Sequence, residues 1–439
     1  MKNRLWIFLL ITFFWGMIAY IVNETAEAAY VTHGPVVGGV SAKKAKIFLR
    51  TNESASVKIE YGTDPNFLDS LMTMTFQTSS EKDFTKIIPL SGLKPKATYY
   101  LNVYVDGVPQ GSPPYHSFKT FPATTDPKRF KFIILTDFKT QRRVTEAFPT
   151  FLNASQEGAD FAFIGGDFDH RDPDTLFEKR RMFKDLYNPN SLGLTNFVND
   201  ILRRMPIVHH WDDHDAGGNN IDKTYPYWKR SNRVFREYVP TYNLPLVNNG
   251  IWQHFTYAQA DFFVLDNRSQ RDLNIDPDDE NKSMLDGDNL GPNGQLEWLK
   301  QRLLNSTARW KIIFSSVVTN TTTKHGDSWA AFQTEWVNLK NFIHDNEISG
   351  VVFISGDLHM GGIDDGNVSG FPEMVVPSPN SSESCGTGSL PGNWSEGIYY
   401  NDTGSCNGYG VVTVLTNPDR LLLEVKDENG TTRLSYTVY

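Results

Sequence analysis

A chain of 439 residues with 39% hydrophobic content is long enough for two domains and a large core. Its net charge is −9 and it has no basic tract, which argues against a stable nucleic-acid partner, although a phosphate site needs only local positive charge.

At the N-terminus, Lys2 and Arg4 precede an apolar run from Leu5 to Val22, and Ala26-Glu27-Ala28 then offers a pattern that suits a signal peptidase. The run of 18 residues is also long enough to span a bilayer. Residues 1–29 are therefore expected to be a signal peptide, with an uncleaved membrane anchor as the alternative. In either case the rest of the chain is exported, secreted or held at the cell surface, and touches a membrane only through this segment.

Residues 30–122 read as an all-β sandwich. Strands are expected near 45–49, 57–61, 86–90 and 99–105, with turn residues between them. The run Leu93-Lys94-Pro95-Lys96-Ala97-Thr98-Tyr99 looks like the tyrosine corner of fibronectin type III-like or immunoglobulin-like sandwiches. No cluster of chemically reactive residues occurs here. A linker is expected at 122–127.

From 128 to 439 the pattern becomes α/β. Strands are expected at 131–135, 161–164, 206–208, 262–265, 311–314 and 351–354. Helices lie between them, with apolar residues at helical spacing in 295–304 and 332–344. Strands return at 410–415 and 421–425, followed by a hairpin signal at Asn429-Gly430. Residues 377–401 read as a long surface loop. Cys385 and Cys406 sit in one Gly/Ser/Asn-rich segment of an exported chain, and a disulfide between them is expected; two free thiols are the alternative.

Three short motifs carry the chemistry. They are Gly165-Gly166-Asp167-Phe168-Asp169-His170, Trp211-Asp212-Asp213-His214-Asp215 and Ser355-Gly356-Asp357-Leu358-His359. Each follows an apolar run, and strand ends are where α/β sheets place ligands. Asp137 follows the strand at 131–135 in the same way. Carboxylate with imidazole suits hard and borderline metals. Taken singly, each motif has a plainer reading. His170 could be a surface-loop histidine, the acidic pentapeptide a solvated turn, and Asp357 a helix cap. Three at successive strand ends point to a metal centre. In Asp266-Asn267-Arg268-Ser269-Gln270-Arg271, Arg268 could fork phosphate oxygens. From that motif alone, salt bridges to the surrounding acids are the better reading.

Together and in this order, Trp-Asp-Asp-His-Asp, Asp-x-Arg-x-x-Arg and Ser-Gly-Asp-x-His resemble the PhoD-type alkaline phosphatases of the calcineurin-like metallophosphoesterase superfamily. The front segment with Val36-Val37-Gly38-Gly39-Val40 is similar to their N-terminal domain. The resemblance implies a four-layer α/β/β/α sandwich around a two-metal site. Asp167 would bridge the metals, Asp137, His170 and His359 would hold one ion, and Asp213 and Asp357 would help hold the other. His214 would be the catalytic histidine, Arg268 would grip phosphate, and Lys139 could add phosphate affinity. The chain departs from the family pattern at Asp137 and His170, where relatives often carry Cys and Tyr. The resulting oxygen and nitrogen set accepts Ca, Fe, Zn or Mn. The implied function is an exported phosphatase. It would hydrolyse small-molecule phosphate monoesters, and diesters as an extension, by in-line attack of hydroxide, and so scavenge phosphate. A cell-surface adhesion protein with a structural metal site is the competing reading.

Overall fold

The computed structural model describes residues 28–138, 148–190, 194–245, 250–287, 291–380, 391–399 and 407–439. The N-terminal apolar run, Lys139 and both members of the expected disulfide, Cys385 and Cys406, lie outside the described residues. Among the described residues no helix is long and apolar enough to cross a membrane.

The front segment supplies β1 (Val31–Gly38), β2 (Lys44–Thr51), β3 (Ser56–Gly62), β4 (Leu71–Met72), β5 (Phe76–Gln77), β6 (Thr85–Ser91), β7 (Thr98–Val105), β8 (Val108–Pro109) and β9 (His116–Lys119). Strands β3, β4, β5, β7, β8 and β9 form one sheet, and β1, β2 and β6 pack against it. Ile47, Ile59, Ile88 and Leu101 fill the space between. The expected tyrosine corner is present: the Tyr99 hydroxyl accepts the Lys94 N–H at 2.9 Å.

The remainder supplies β10 (Phe130–Leu135), β11 (Phe161–Ile164), β12 (Ile207–His209), β13 (Gln253–Tyr257), β14 (Ala260–Val264), β15 (Trp310–Ser315), β16 (Val351–Ser355), β17 (Gly361–Asp364), β18 (Glu373–Val375), β19 (Ile398–Tyr399), β20 (Gly408–Leu415), β21 (Arg420–Asp427) and β22 (Thr432–Val438). Its helices are α1 (Pro149–Ser155), α2 (Leu176–Leu186), α3 (Asp213–Ala216), α4 (Trp228–Tyr238), α5 (Gln295–Asn305) and α6 (Gln333–Asp345). Two sheets stack face to face. One has the order β22-β21-β20-β10-β11-β12-β1-β2-β6 and the other β13-β14-β15-β16-β18-β17-β19.

Successive side chains of a strand point to opposite faces, which makes the layering legible residue by residue. Phe132, Ile134, Phe161 and Phe163 of the first sheet meet Phe262, Ile312, Phe314 and Ile354 of the second in a central core. The Phe163 and Phe314 rings stack with centroids 3.5 Å apart. The alternate residues Ile133, Leu135, Ala162 and Ile164 face outward to α1, α2 and α4. On the far side, Phe263, Ile313 and Phe353 pack under Leu299 of α5 and Trp336 and Leu339 of α6. The result is the expected α/β/β/α sandwich. β10, β11 and β12 run parallel, as do β14, β15 and β16, so the ends that carry the motifs gather along one edge of each sheet.

The front segment is joined to this sandwich through its hydrogen bonds. Gly38 of β1 pairs with Ile207 of β12 in parallel, so β1, β2 and β6 extend the first sheet. Glycine is required at this junction, because a Cβ on Gly38 would stand 2.2 Å from the Pro240 carbonyl oxygen. Val36 and Phe48 enter the core beneath α2 and α4, and Phe121 packs on Phe161 and Tyr257. Removing residues 31–122 would bare the β12 edge together with these apolar faces. The truncated chain is expected to aggregate although it keeps every motif. A monodisperse, folded truncation in size exclusion and circular dichroism would contradict this.

Candidate metal centre

The motif residues converge where the parallel strands end. Asp137 follows β10, Asp167 follows β11, Asp212 and Asp213 follow β12, and Asp357 and His359 follow β16. The backbone turns sharply at each point. Asp137 (φ 58°), Asp167 (φ 50°), Asp357 (φ 68°) and His359 (φ 53°) all adopt the left-handed conformation, which is uncommon for residues with a Cβ. The flanking glycines allow close approach: a Cβ on Gly166 would lie 2.5 Å from the Asp212 nitrogen, and one on Gly356 would lie 2.5 Å from the Thr136 hydroxyl. Asp215 braces the loops. Its carboxylate accepts the N–H groups of Asp167 (2.8 Å), Phe168 (2.8 Å), Asp169 (3.3 Å) and Asp212 (3.1 Å).

Two groups of potential ligand atoms share Asp167. Asp167, Asp212, Asp213 and Asp357 place one oxygen each within 4.8 Å of one another, and so do one oxygen of Asp167 and one ring nitrogen each of His170 and His214. His359 stands over Asp137, its Nε2 3.6 Å from the carboxylate. The rings of His170 and His359 are 5.7 Å apart. Asp213 accepts the N–H of His214 at 2.9 Å and of Asn220 at 2.6 Å. His214 is held through Nδ1 by Asp172, at 2.5 Å.

Arg268, expected to grip phosphate, is enclosed among carboxylates. Its side chain is fully buried, and its donors face carboxylates rather than an open cleft. Nε and Nη2 take the two oxygens of Asp212, and Nη1 takes Asp327 at 2.9 and 3.0 Å. Asp213 and Asp357 are 3.4 and 3.7 Å away. The structural reason is charge: in a crowded acidic site a buried guanidinium is drawn to fixed carboxylates. Arg271 joins Asp327 at 2.6 Å. Lys324 contacts Asp357 and lies 3.3 Å from Asp327.

Asp172, Asp212, Lys324 and Asp327 escaped the sequence reading. Asp212 lay inside a quoted motif without a role. The run Lys324-His325-Gly326-Asp327 has no periodicity and no ligand spacing, so only the fold brings it to the site.

Burial pushes the Asp167 carboxyl well above the usual range, and repulsion from Asp213 and Asp212 adds to this. Burial does the same to Asp357, against the pull of Lys324, and also raises Asp137. Asp213 is also buried, and burial is the largest single effect on it, yet the charges of Arg268, His214 and Lys324 together hold it low. Six carboxylates (Asp137, Asp167, Asp212, Asp213, Asp327 and Asp357) thus share three described cations, Arg268, Arg271 and Lys324. Both Asp137 oxygens are buried and no donor among the described residues meets them in good hydrogen-bond geometry, with Thr136 and His359 Nε2 (3.6 Å) as their polar neighbours. Anionic excess and acceptor oxygens without well-placed donors are what a site for multivalent cations requires, so the donor set fits metal ions.

A family model described as PhoD-like phosphatase matches residues 168–390. The chain belongs to the PhoD-like phosphatase family. Residues 28–123 match a second model, a domain of unknown function (DUF7800). Among curated proteins, alkaline phosphatase D of Bacillus subtilis (strain 168) is 29% identical over 184 residues. That alignment covers 35% of this chain and only 31% of the relative, about a third of its length. A solved structure of PhoD superposes with a TM-score of 0.72 at 19% identity, covering 92% of this chain and 89% of the other. A purple acid phosphatase from seeds of yellow lupin (Lupinus luteus) gives 0.60 at 14% identity, covering 93% and 74%. At these identities the two structures speak to fold. They bear out the two-sheet α/β fold with an all-β front segment for this PhoD-like chain.

Proposed function

We propose that this PhoD-like protein is an exported, metal-dependent phosphatase that hydrolyses small phosphate esters. The observation that carries the reading is Asp167, shared by two groups of ligand atoms at the ends of parallel strands. Asp137, Asp167, His170 and His359 would hold one ion, and Asp167, Asp213 and Asp357 the other, with Asp212 beside them. Bound there, cations supply Lewis-acid stabilisation of phosphoryl charge and lower the pKa of a nucleophilic water. Ca, Fe, Zn and Mn all suit the oxygen and nitrogen donors. Export rests on the apolar N-terminal run, and phosphate scavenging rests on export.

The chain's own groups then complete the reaction. Asp172 fixes the His214 ring through Nδ1 and leaves Nε2 to serve substrate. A proton on Nε2 passes to the leaving oxygen as the P–O bond breaks, so the products are alcohol and phosphate. No side chain need carry the phosphoryl group. Arg268 holds Asp212 and Asp327 in place and thereby shapes the anionic wall.

Hydrolysis of a chromogenic monoester and the matching diester, with and without chelator, tests the proposal. Chelator-insensitive turnover, or none with any of these metals, would refute it. His214→Ala is expected to lower kcat by roughly 10²- to 10³-fold with metal content retained. Asp172→Asn is expected to cost about tenfold, because it loosens the ring without removing it. Loss of a metal equivalent in His214→Ala would recast that histidine as a ligand with Asp167 and His170.

A further inference from the structure

We propose that Lys324 is the cation that binds the phosphoryl oxygens of the substrate and sets a preference for monoesters. The inference rests on the phosphatase reading and assigns to Lys324 the task first expected of Arg268. Its basis is which cation at the site, among the described residues, can change partners.

Arg268 cannot. Its side chain is 0% exposed, and Nε, Nη1 and Nη2 each hold a carboxylate oxygen. Turning it toward substrate would strand Asp212 and Asp327 in the interior, where an unpaired charge is strongly destabilising. Arg271 is equally enclosed, bound to Asp327 at 2.6 Å and to the Asn220 carbonyl at 2.9 Å. Arg171 is spent on Asp169 and Asp185.

Lys324 differs on each count. Its side chain is 21% exposed, whereas those of Arg268 and Arg271 are fully buried. Its ammonium rests on Asp357, one of the four clustered carboxylates that include Asp167, which puts it beside that cluster. Its second partner, Asp327, keeps Arg268 and Arg271 if Lys324 leaves. An ammonium on a four-carbon stem is a mobile point charge with three donors, whereas the guanidinium is a rigid fork already matched to its carboxylates. The backbone fixes the root of that stem: Lys324 is left-handed (φ 44°), and its carbonyl accepts the Asp327 N–H at 3.0 Å. The ammonium can therefore move between Asp357 and a phosphoryl oxygen while the main chain stays in place. A monoester presents two negative charges and a diester one, so a point charge discriminates between them.

The test compares the metal-loaded full chain with Lys324→Ala, Lys324→Arg and Lys324→Gln. It uses p-nitrophenyl phosphate, bis(p-nitrophenyl) phosphate, and inorganic phosphate as a competitive inhibitor, with metal content measured in every sample. In the alanine variant, KM for the monoester and the inhibition constant of phosphate should rise roughly tenfold or more, and the diester constants by less than about threefold. Metal content should stay unchanged, and the arginine variant should recover part of the loss. The glutamine variant keeps an N–H donor but no charge, so it should behave like alanine and decides the matter if alanine does not fold. Equal losses on both esters, an unchanged phosphate constant, or altered metal stoichiometry would overturn the proposal and make Lys324 a structural counter-ion. If the wild type hydrolyses neither ester, the phosphatase reading fails by itself. Calorimetry of phosphate binding to wild type and Lys324→Gln would still decide the role of Lys324, with equal affinities overturning it.

Discussion

Asp167→Asn should abolish turnover, lowering kcat on the order of 10⁴-fold, while the protein stays folded. Asparagine matches the shape of aspartate and is among the few residues that tolerate the left-handed conformation found here (φ 50°). The Asp167 N–H still reaches Asp215, and the His214 N–H still finds an oxygen to donate to. Only the charge shared by both groups of ligand atoms is lost. Because burial and the neighbouring aspartates already disfavour that charge, removing it can even raise thermal stability before metal is added. Circular dichroism, metal analysis and kcat on one preparation check this. Near-wild-type activity in a variant with measured metal content would sink the assignment of Asp167.

The largest stability effect is expected at Arg268. Arg268→Met should cost about 3–5 kcal/mol in urea denaturation, because Asp212 and Asp327 stay buried and lose their main cation. Methionine fills part of the volume, so packing loss contributes little of this. The loss should shrink as pH falls. Arg268 and Arg271 hold the Asp327 carboxyl below its ordinary range against the pull of burial, so the pairing stabilises above the unfolded carboxyl pKa. It fades as pH drops through the lower folded value. A cost under about 1 kcal/mol at neutral pH would show that solvent reaches the cluster.

These two residues also mark how far the sequence could be read. Asp167 was legible because a Gly-Gly turn, an apolar strand and a histidine three residues on all concern near neighbours in the chain. The strands at 131–135, 161–164 and 351–354 were legible for the same reason, since a buried parallel strand is an unbroken apolar run. What Arg268 binds was not. Asp212 and Asp327 lie 56 and 59 residues away in sequence, and pairing over such distances leaves no local pattern. The front segment shows the same division. Its tyrosine corner was evident in seven consecutive residues, whereas the union of β1 with β12 depends on Gly38 meeting Ile207. Arg268 does make the salt bridges to surrounding acids that its own motif suggested.

The strand order of the first sheet has a consequence for how the chain reaches this fold. β10 lies between β11, its near neighbour in sequence, and β20, nearly 300 residues on, while β1 waits for β12. Neither central strand can be fully paired until distant chain exists, so contact order is high and folding is expected to be slow. During synthesis the edges of β10 and β1 stay open to strangers. A nascent chain stopped before residue 408 has no partner for that side of β10 and should bind chaperones strongly. Release of the last three strands should close the sheet in a single late, cooperative step.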